Sequence, residues 1–219
     1  MTQNYKVILV DDHLLIRDAL AEYIDKFDEI SVIGRAADGK ELVKLIQDGS
    51  RPQLIVLDLN MPVMDGYETA LWLKENYPDV KILVLTMYDS EIALIRLLQV
   101  GVRGFLKKDV HPSELKRALL AVAEDGYYYS HSTTGKLASL FQRRENNADQ
   151  LAQAMLSDLE ISFLKMASTD LTYKEIAEKM KLSPRAVDGY RDNLFEKLAV
   201  KSRVGLVLFA IKNGIVNFT

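Results

Sequence analysis

Five residues with chemically active side chains stand at matching places in the first half of the chain, each at the end of a short apolar segment. Three carboxylates gathered in one cleft repel each other and require a cation, and oxygen ligands favour Mg²⁺ or Mn²⁺ over zinc. A lysine and a hydroxyl beside such a metal suit a bound phosphoryl group. A carboxylate can itself accept that group as an acyl phosphate. The five residues are Asp11, Asp12, Asp58, Thr86 and Lys108.

Each of these residues also has an ordinary structural explanation when it is considered alone. An acidic pair after a strand often caps the next helix, as Asp12 could do. Thr86 could simply end a strand, and Lys108 could be a solvated surface lysine. The prediction of a site therefore depends on five residues that fall at matching strand ends.

The segments that must position these residues alternate between strand and helix patterns. The near-continuous apolar segments at 54–57 and 81–85 are typical of parallel strands that are covered on both faces. Ligands of such sheets bind beyond the carboxyl ends of the strands. We therefore predict an α/β unit with a five-stranded parallel sheet, with strands at 7–10, 31–36, 54–57, 81–85 and 104–106 and helices at 13–26, 39–48, 66–77, 89–100 and 112–125. Asp38 and Asp89 are predicted helix N-caps, and Pro112 suits a first helical turn.

Composition excludes several classes of protein. The chain has 219 residues, a net charge of −3 and no cysteine. It is therefore neither a general polycation nor a disulfide or thiolate-metal scaffold. The longest apolar run, at 204–211, is far too short to span a membrane. We expect a cytoplasmic protein with no membrane association.

Charge divides the chain into two units. Residues 1–130 carry 15 basic and 21 acidic side chains, whereas residues 155–219 carry 10 and 8. Residues 131–154 are polar and turn-like, and we interpret them as the interdomain linker. An acidic first domain and a mildly basic second domain suggest different partners.

The second unit has the pattern of four short helices. Ser157 and Glu160 form a capping-box sequence, and Ser183 and Pro184 are typical of a helix start. The segments 173–180 and 184–199, joined by a three-residue turn, have helix-turn-helix spacing. Spacing alone leaves two interpretations open, a DNA-reading module or a four-helix dimerisation or packing module.

Four motifs identify a family for the first unit. Residues 7–13, 57–66, 85–87 and 104–109 read VILVDDH, LDLNMPVMDG, LTM and GFLKKD. Over nearly all of residues 4–125 the chain resembles a response-regulator receiver domain, which has a flavodoxin-like fold. The resemblance implies that Asp58 accepts the phosphoryl group and that Phe105 is the switch aromatic. It further implies Mg²⁺ held by Asp11, Asp12, Asp58 and the Asn60 backbone carbonyl, and a phosphoryl group bound by Thr86 and Lys108.

The first unit departs from the family pattern at two places. Lys108, three residues after the aromatic, is followed by Asp109 where proline is commonest. Phe105 also lacks the hydroxyl of a tyrosine, which alters how the switch is communicated.

The second unit resembles the LuxR-type helix-turn-helix of the NarL/FixJ subfamily over residues 156–216. The motifs are EIAEKM at 175–180, LS at 182–183, AV at 186–187, NL at 193–194, KLAV at 197–200 and KSR at 201–203. The resemblance implies binding of double-stranded DNA. The expected contacts are Lys174, Lys181, Arg185, Asp188, Arg191, Asp192, Lys201 and Arg203.

The predicted recognition helix is unusual for a DNA-binding helix. Family members commonly carry basic residues where Asp188 and Asp192 stand and a histidine where Tyr190 stands. An aspartate is repulsive near phosphate unless it accepts from a cytosine amino group or pairs with Arg185 or Arg191. Segment 184–199 carries three basic and three acidic residues, so it is neutral.

Together the two resemblances imply a phosphorylation-activated transcriptional regulator of a two-component system. A histidine kinase would phosphorylate Asp58. Phosphorylation would promote a homodimer, which would bind two DNA half-sites. Such a protein is not an enzyme in the metabolic sense. The main alternative is a phosphorylation-gated protein-interaction module that does not read DNA. A metal-dependent phosphohydrolase with Asp58 as nucleophile is weaker, because the chain has no additional substrate-binding domain.

Overall fold

The computed structural model describes residues 4–87, 91–130, 133–135 and 156–216, which form two compact units. The predicted linker, apart from residues 133–135, lies outside the described residues. So does Asp89, a predicted helix N-cap.

The first unit is a parallel sheet with strand order β2-β1-β3-β4-β5-β6. All strand pairs are parallel. The chain adds β2 on one side of β1 and then crosses to the other side, so the strand order reverses between β1 and β3. The strands are β1 Tyr5–Val10, β2 Ile30–Ala36, β3 Leu54–Leu57, β4 Lys81–Thr86, β5 Gly104–Lys107 and β6 Tyr128–Tyr129.

Five helices of this unit follow the predicted alternation. Asp38 accepts hydrogen bonds from the backbone N–H groups of Lys40 and Glu41, which confirms it as a cap. Pro112 occupies the first turn of its helix, as predicted. The helices are α1 Leu14–Ile24, α2 Gly39–Gln47, α3 Gly66–Asn76, α4 Glu91–Gln99 and α5 Pro112–Glu124.

The sheet is buried on both faces, which is why its central strands lack polar alternation. All four residues of β3 are buried. On one face Leu9, Val56 and Leu83 pack with residues of α1 and α5. Ile55 and Val84 alternate with them and are buried on the opposite face.

The expectation of five strands was wrong by one. β6 has two residues, and they pair in parallel with Gly104 and Phe105 of β5. Gly126, with φ of 91°, takes the left-handed conformation between α5 and β6. A two-residue strand is too short to show a period in the sequence, so nothing in the pattern indicated it.

The second unit contains four helices within residues 156–216, as predicted. They are α6 Asp158–Ala167, α7 Tyr173–Met180, α8 Pro184–Lys197 and α9 Arg203–Lys212. The capping box of Ser157 and Glu160 is confirmed, and Thr172 with Glu175 forms a second one at the start of α7. Ser183 caps α8. The core of this unit contains Phe163, Leu164, Ile176, Val187, Leu194 and Leu206.

The turn between α7 and α8 is tight. Lys181 ends α7 in the left-handed conformation, with φ of 55°. The backbone N–H of Leu182 returns to the carbonyl of Ala177 at 2.9 Å. Ser183 then starts α8, so the three-residue turn predicted from the sequence is confirmed.

Candidate phosphoryl-acceptor site and helix-turn-helix surface

The predicted acidic cluster forms at the carboxyl end of the sheet. Asp11 follows β1 and Asp58 follows β3, the two strands that flank the point where the strand order reverses. Each is only 4% exposed. Lys108 follows β5, and its Nζ lies 2.8 Å from Asp11 Oδ2 and 2.8 Å from Asp58 Oδ2. One buried cation thus contacts two buried carboxylates.

Backbone contacts fix the height of these side chains above the sheet. The N–H of Asp58 donates to the carbonyl of Val10, which carries the β1–β3 pairing beyond the last residue of β3. The N–H of Lys108 donates to the carbonyl of Thr86 at 2.8 Å. A Cβ on Gly66 would overlap the Asp58 carbonyl. Because Gly66 has no side chain, the start of α3 can pack directly against the backbone of Asp58 and Leu59.

Burial and charge oppose each other in the pKa of Asp58. Burial raises the pKa of Asp58 above its ordinary value, although the Lys108 ammonium works in the lowering direction. For Lys108, burial works to lower the pKa, but attraction to Asp58 and hydrogen bonds to both aspartates raise it overall. The lysine therefore stays charged, and further positive charge at the site would favour the ionised form of Asp58.

Asp12 lies at the open side of the cluster. Its side chain is 33% exposed, and its Oδ1 is 2.9 Å from Nδ1 of His13. The N-cap of α1 is His13. Asp12 therefore does not take the capping role that the sequence left open.

The cluster can hold a metal ion. Ligand atoms of Asp11, Asp12, His13 and Asp58 all lie within 4.8 Å of one another. The carboxylates suit Mg²⁺ or Mn²⁺, as the residue types predicted. Sequence reasoning did not include His13, although its position directly after the aspartate pair was an available signal. The role of the Asn60 carbonyl stays a prediction.

Thr86 and Phe105 occupy adjacent strands on one face of the sheet. Thr86 is the last residue of β4 and is fully buried, and Phe105 of β5 is 2% exposed. Val84 pairs with Phe105, and Thr86 is two residues beyond Val84. Because side chains alternate along a strand, all three project to the same face. Thr86 and Phe105 are therefore diagonal neighbours on that face, and their role as a switch stays a prediction.

The helix-turn-helix pair presents a mixed-charge surface. Arg185, Asp188, Gly189 and Asp192 are exposed on α8. Arg191 Nη1 lies 2.8 Å from Asp188 Oδ1, and its Nε donates to Asp192 Oδ1 at 2.8 Å. The hydrogen bond to Asp192 raises the pKa of Arg191. Arg191 thus pairs with both aspartates, which is one of the arrangements that the sequence left open, and the three side chains together keep one negative charge.

Two other basic residues of this unit contact its own fold. Lys197 Nζ lies 2.9 Å from Glu160 Oε2, so it joins α8 to α6. Arg203 donates to the backbone carbonyls of Ala167 at 2.9 Å and Thr169 at 2.7 Å. The predicted DNA contact of Arg203 stays a prediction, but its guanidinium also has a structural role.

The remaining predicted phosphate contacts lie at the surface. Lys174, Lys181, Arg185 and Lys201 are exposed. Among the described residues, Arg185 has no ion-pair partner, which distinguishes it from Arg191 on the same helix.

None of the helices in the described part of the chain is both long enough and apolar enough to cross a membrane.

A buried acid pair with a lysine on a parallel sheet, followed by a helix-turn-helix unit, defines the class of two-domain response regulators. Residues 7–120 match the family model for the response regulator receiver domain. Residues 154–210 match the model for bacterial regulatory proteins of the luxR family. The chain belongs to the response regulators that join a receiver domain to a luxR-family domain.

Curated relatives match this chain over almost their whole length. The chain is 32% identical to the response regulator GacA of Pseudomonas syringae over 213 residues, which cover 97% of this chain and 98% of the relative. It is 30% identical to the oxygen regulatory protein NreC of Staphylococcus carnosus, covering 97% and 100%. The fold is similar to RcsB of Salmonella enterica, solved bound to the promoter rprA, with a TM-score of 0.69, 22% identity and coverage of 94% and 98%.

Proposed function

We propose that the chain is a phosphorylation-activated transcriptional regulator in which Asp58 accepts a phosphoryl group from a histidine kinase. The observation that carries this proposal is the contact of Lys108 with both Asp58 and Asp11 at the carboxyl end of the sheet. We assign residues 1–130 to the receiver, 131–154 to the linker and 155–219 to the DNA-binding domain. We expect the protein to act in the cytoplasm, where it meets both the kinase and DNA.

The transfer exchanges one bond to phosphorus for another. A carboxylate oxygen of Asp58 attacks the phosphorus atom, and the bond from phosphorus to the kinase histidine nitrogen breaks. The electron pair of that bond stays on the imidazole nitrogen. Phosphorylation removes the negative charge from the Asp58 carboxylate and places negative charge on the phosphoryl oxygens, so the Lys108 ammonium can turn to one of them.

Asp11, Asp12 and Asp58 would hold Mg²⁺, together with the backbone carbonyl of Asn60. The metal would supply positive charge to the phosphoryl oxygens during transfer. Asp11 and Asp58 are already buried beside one cation, whereas Asp12 lies at the open side. An anionic phosphoryl group cannot enter this acidic cleft unless further positive charge is present.

Phosphorylation would then change the packing of the receiver. The Thr86 hydroxyl would bind a phosphoryl oxygen, and Phe105 would follow into the space that Thr86 leaves. Such a change is a population shift between two packings, and the phosphoryl group must favour one of them. The favoured packing would promote the homodimer, which would place two α8 helices on one DNA duplex.

The experiment is intact mass spectrometry of the full chain after incubation with acetyl phosphate and Mg²⁺. The mass should rise by one phosphoryl group in the wild type and stay unchanged in Asp58→Asn. Labelling that persists in excess chelator would contradict the metal requirement.

A second candidate function has an observation of its own. Arg191 is paired with Asp188 and Asp192, and Lys197 with Glu160, so α8 has little positive charge to offer phosphate. This favours a phosphorylation-gated protein-interaction module. The discriminating measurement is DNA affinity of the phosphorylated protein at low ionic strength, because non-specific affinity depends on phosphate contacts.

A further inference from the structure

Gly189 lies in the middle of α8, at an exposed position where the fold makes no use of a glycine. Its φ is not in the left-handed region, unlike that of four other glycines. Apart from its chain neighbours and the backbone of its own helix, a Cβ built at Gly189 meets no described atom within 4 Å. Glycine is a poor helix former, so it lowers the stability of α8. Neither packing nor backbone conformation requires a glycine at this position.

Exposed charged residues flank the position on the same face of the helix. Arg185 is four residues before Gly189 and Asp192 is three residues after it, and both spacings bring side chains together on a helix. Asp192 is held by Arg191 at 2.8 Å. The face therefore presents a gap without a side chain between one cation and one oriented carboxylate.

We propose that Gly189 is the point at which α8 approaches a DNA duplex most closely, with a base-pair edge entering the gap between Arg185 and Asp192. The inference rests on the proposed function of DNA binding. The major groove admits a helix, and arginine pairs with the acceptors of guanine while a carboxylate accepts from the cytosine amino group. The flanking residues thus suit a G·C pair, and Arg191 is a positioning residue that orients the two aspartates.

A side chain at Gly189 would fill the gap, so stability and affinity should change in opposite directions. Gly189→Ala and Gly189→Gln should raise the thermal unfolding midpoint, because both replace a poor helix former in an exposed helix. Both should weaken DNA binding, by about tenfold for alanine, the size of one lost base contact, and by more for glutamine. The probes are duplexes recovered from a random-sequence pool by the phosphorylated wild-type protein.

Asn193→Gln is the matched control, since Asn193 is exposed on the same face of α8 as Gly189 but one turn further along. It should change affinity by less than about twofold, because it lengthens a side chain that is already present and leaves the gap at Gly189 open. The inference is overturned if Gly189→Gln gains stability and binds as tightly as the wild type, or if Asn193→Gln loses as much affinity. If the phosphorylated wild type recovers no duplex, the proposed function itself fails and the inference fails with it.

Discussion

The Nζ atom of Lys108 lies 2.8 Å from Asp58 Oδ2 and joins the end of β5 to the end of β3. The same atom is 2.8 Å from Asp11 Oδ2 after β1. One ammonium thus contacts two carboxylates that are each 4% exposed. This single cation thus links the predicted phosphoryl acceptor to a carboxylate of the predicted metal site.

Removal of the Lys108 charge should destabilise the receiver. Lys108→Met leaves two buried carboxylates without their cation, and breaking a buried pair costs about 3–5 kcal/mol. The free energy of unfolding of the N-terminal unit, measured with urea, should fall by that amount. Addition of Mg²⁺ should restore part of it, since the metal would replace the lost charge.

Lys107→Met is the matched control for this variant. Lys107 pairs only with Asp109 at 3.2 Å among the described residues, and its side chain is 43% exposed. An exposed pair contributes about 0–1 kcal/mol. Equal destabilisation by the two substitutions would show that the buried charge of Lys108 stabilises the fold no more than an exposed lysine does.

Thr86→Ala should separate phosphorylation from its consequence. Thr86 is buried on the same face as Phe105, so loss of its hydroxyl should break the route from the phosphoryl group to the ring. The variant should still gain one phosphoryl mass but should not dimerise with acetyl phosphate in light scattering. Thr86→Ser, which keeps the hydroxyl, should dimerise. Full dimerisation of the alanine variant would contradict the switch.

The ion pair between Glu160 and Lys197 predicts the acid sensitivity of the second unit. Burial works to raise the pKa of Glu160, but hydrogen bonds from Lys197 and from the Ser157 backbone lower it below the ordinary 4.5. A carboxyl group whose pKa is lower in the folded state stabilises the fold at any pH above its unfolded-state pKa. This stabilisation is lost as the pH falls through the folded-state pKa. Stability should therefore decline below about pH 4.5.

Glu160→Gln tests this pH dependence. The variant should be less stable than the wild type at neutral pH, and the difference should shrink as the pH falls below the ordinary value of 4.5. The measurement is the urea midpoint of the second unit across this range. Glu178→Gln, at an exposed site on α7, is the control and should keep the wild-type profile. A constant difference between Glu160→Gln and the wild type would exclude the pair as the cause.

Surface lysines and Asp188 should affect DNA binding in different ways. Lys201→Ala and Lys181→Ala remove exposed charges and should weaken binding to all sequences while reducing the salt slope by about one unit each.

Asp188→Ala should relax preference at one base pair by roughly 1–3 kcal/mol if the carboxylate reads cytosine. Uniformly tighter binding of that variant would mean that Asp188 only repels phosphate.

A dimer that places two α8 helices on one face of the duplex should need half-sites whose centres are about 10 base pairs apart, or a multiple of that distance.

Much of the fold followed from local patterns. The apolar runs of β3 and β4 and the cap sequences at Asp38, Ser157 and Ser183 determined the elements with boundaries close to those observed. The carboxylate cluster followed because parallel strands end at one edge. These features depend on residues close together in the sequence or on one rule of topology.

Other features depend on side-chain choices that no local pattern specifies. Arg191 could have faced DNA or the aspartates, and both arrangements fit its helical spacing. Arg203 donates to carbonyls at the end of α6 and in the α6–α7 connection, a contact between segments that are distant in sequence. The two-residue strand β6 is defined by its pairing with β5, a contact between segments more than 20 residues apart in sequence.

Phosphorylation of Asp58 should control DNA binding, and the most direct measurement of this control is the DNA affinity of one preparation with and without acetyl phosphate and Mg²⁺. Fluorescence anisotropy on selected duplexes should show tighter, salt-dependent binding by the phosphorylated wild type. Asp58→Asn should bind alike in both conditions. The same gain in Asp58→Asn, or no salt-dependent affinity of the phosphorylated wild type at low ionic strength, would contradict the account.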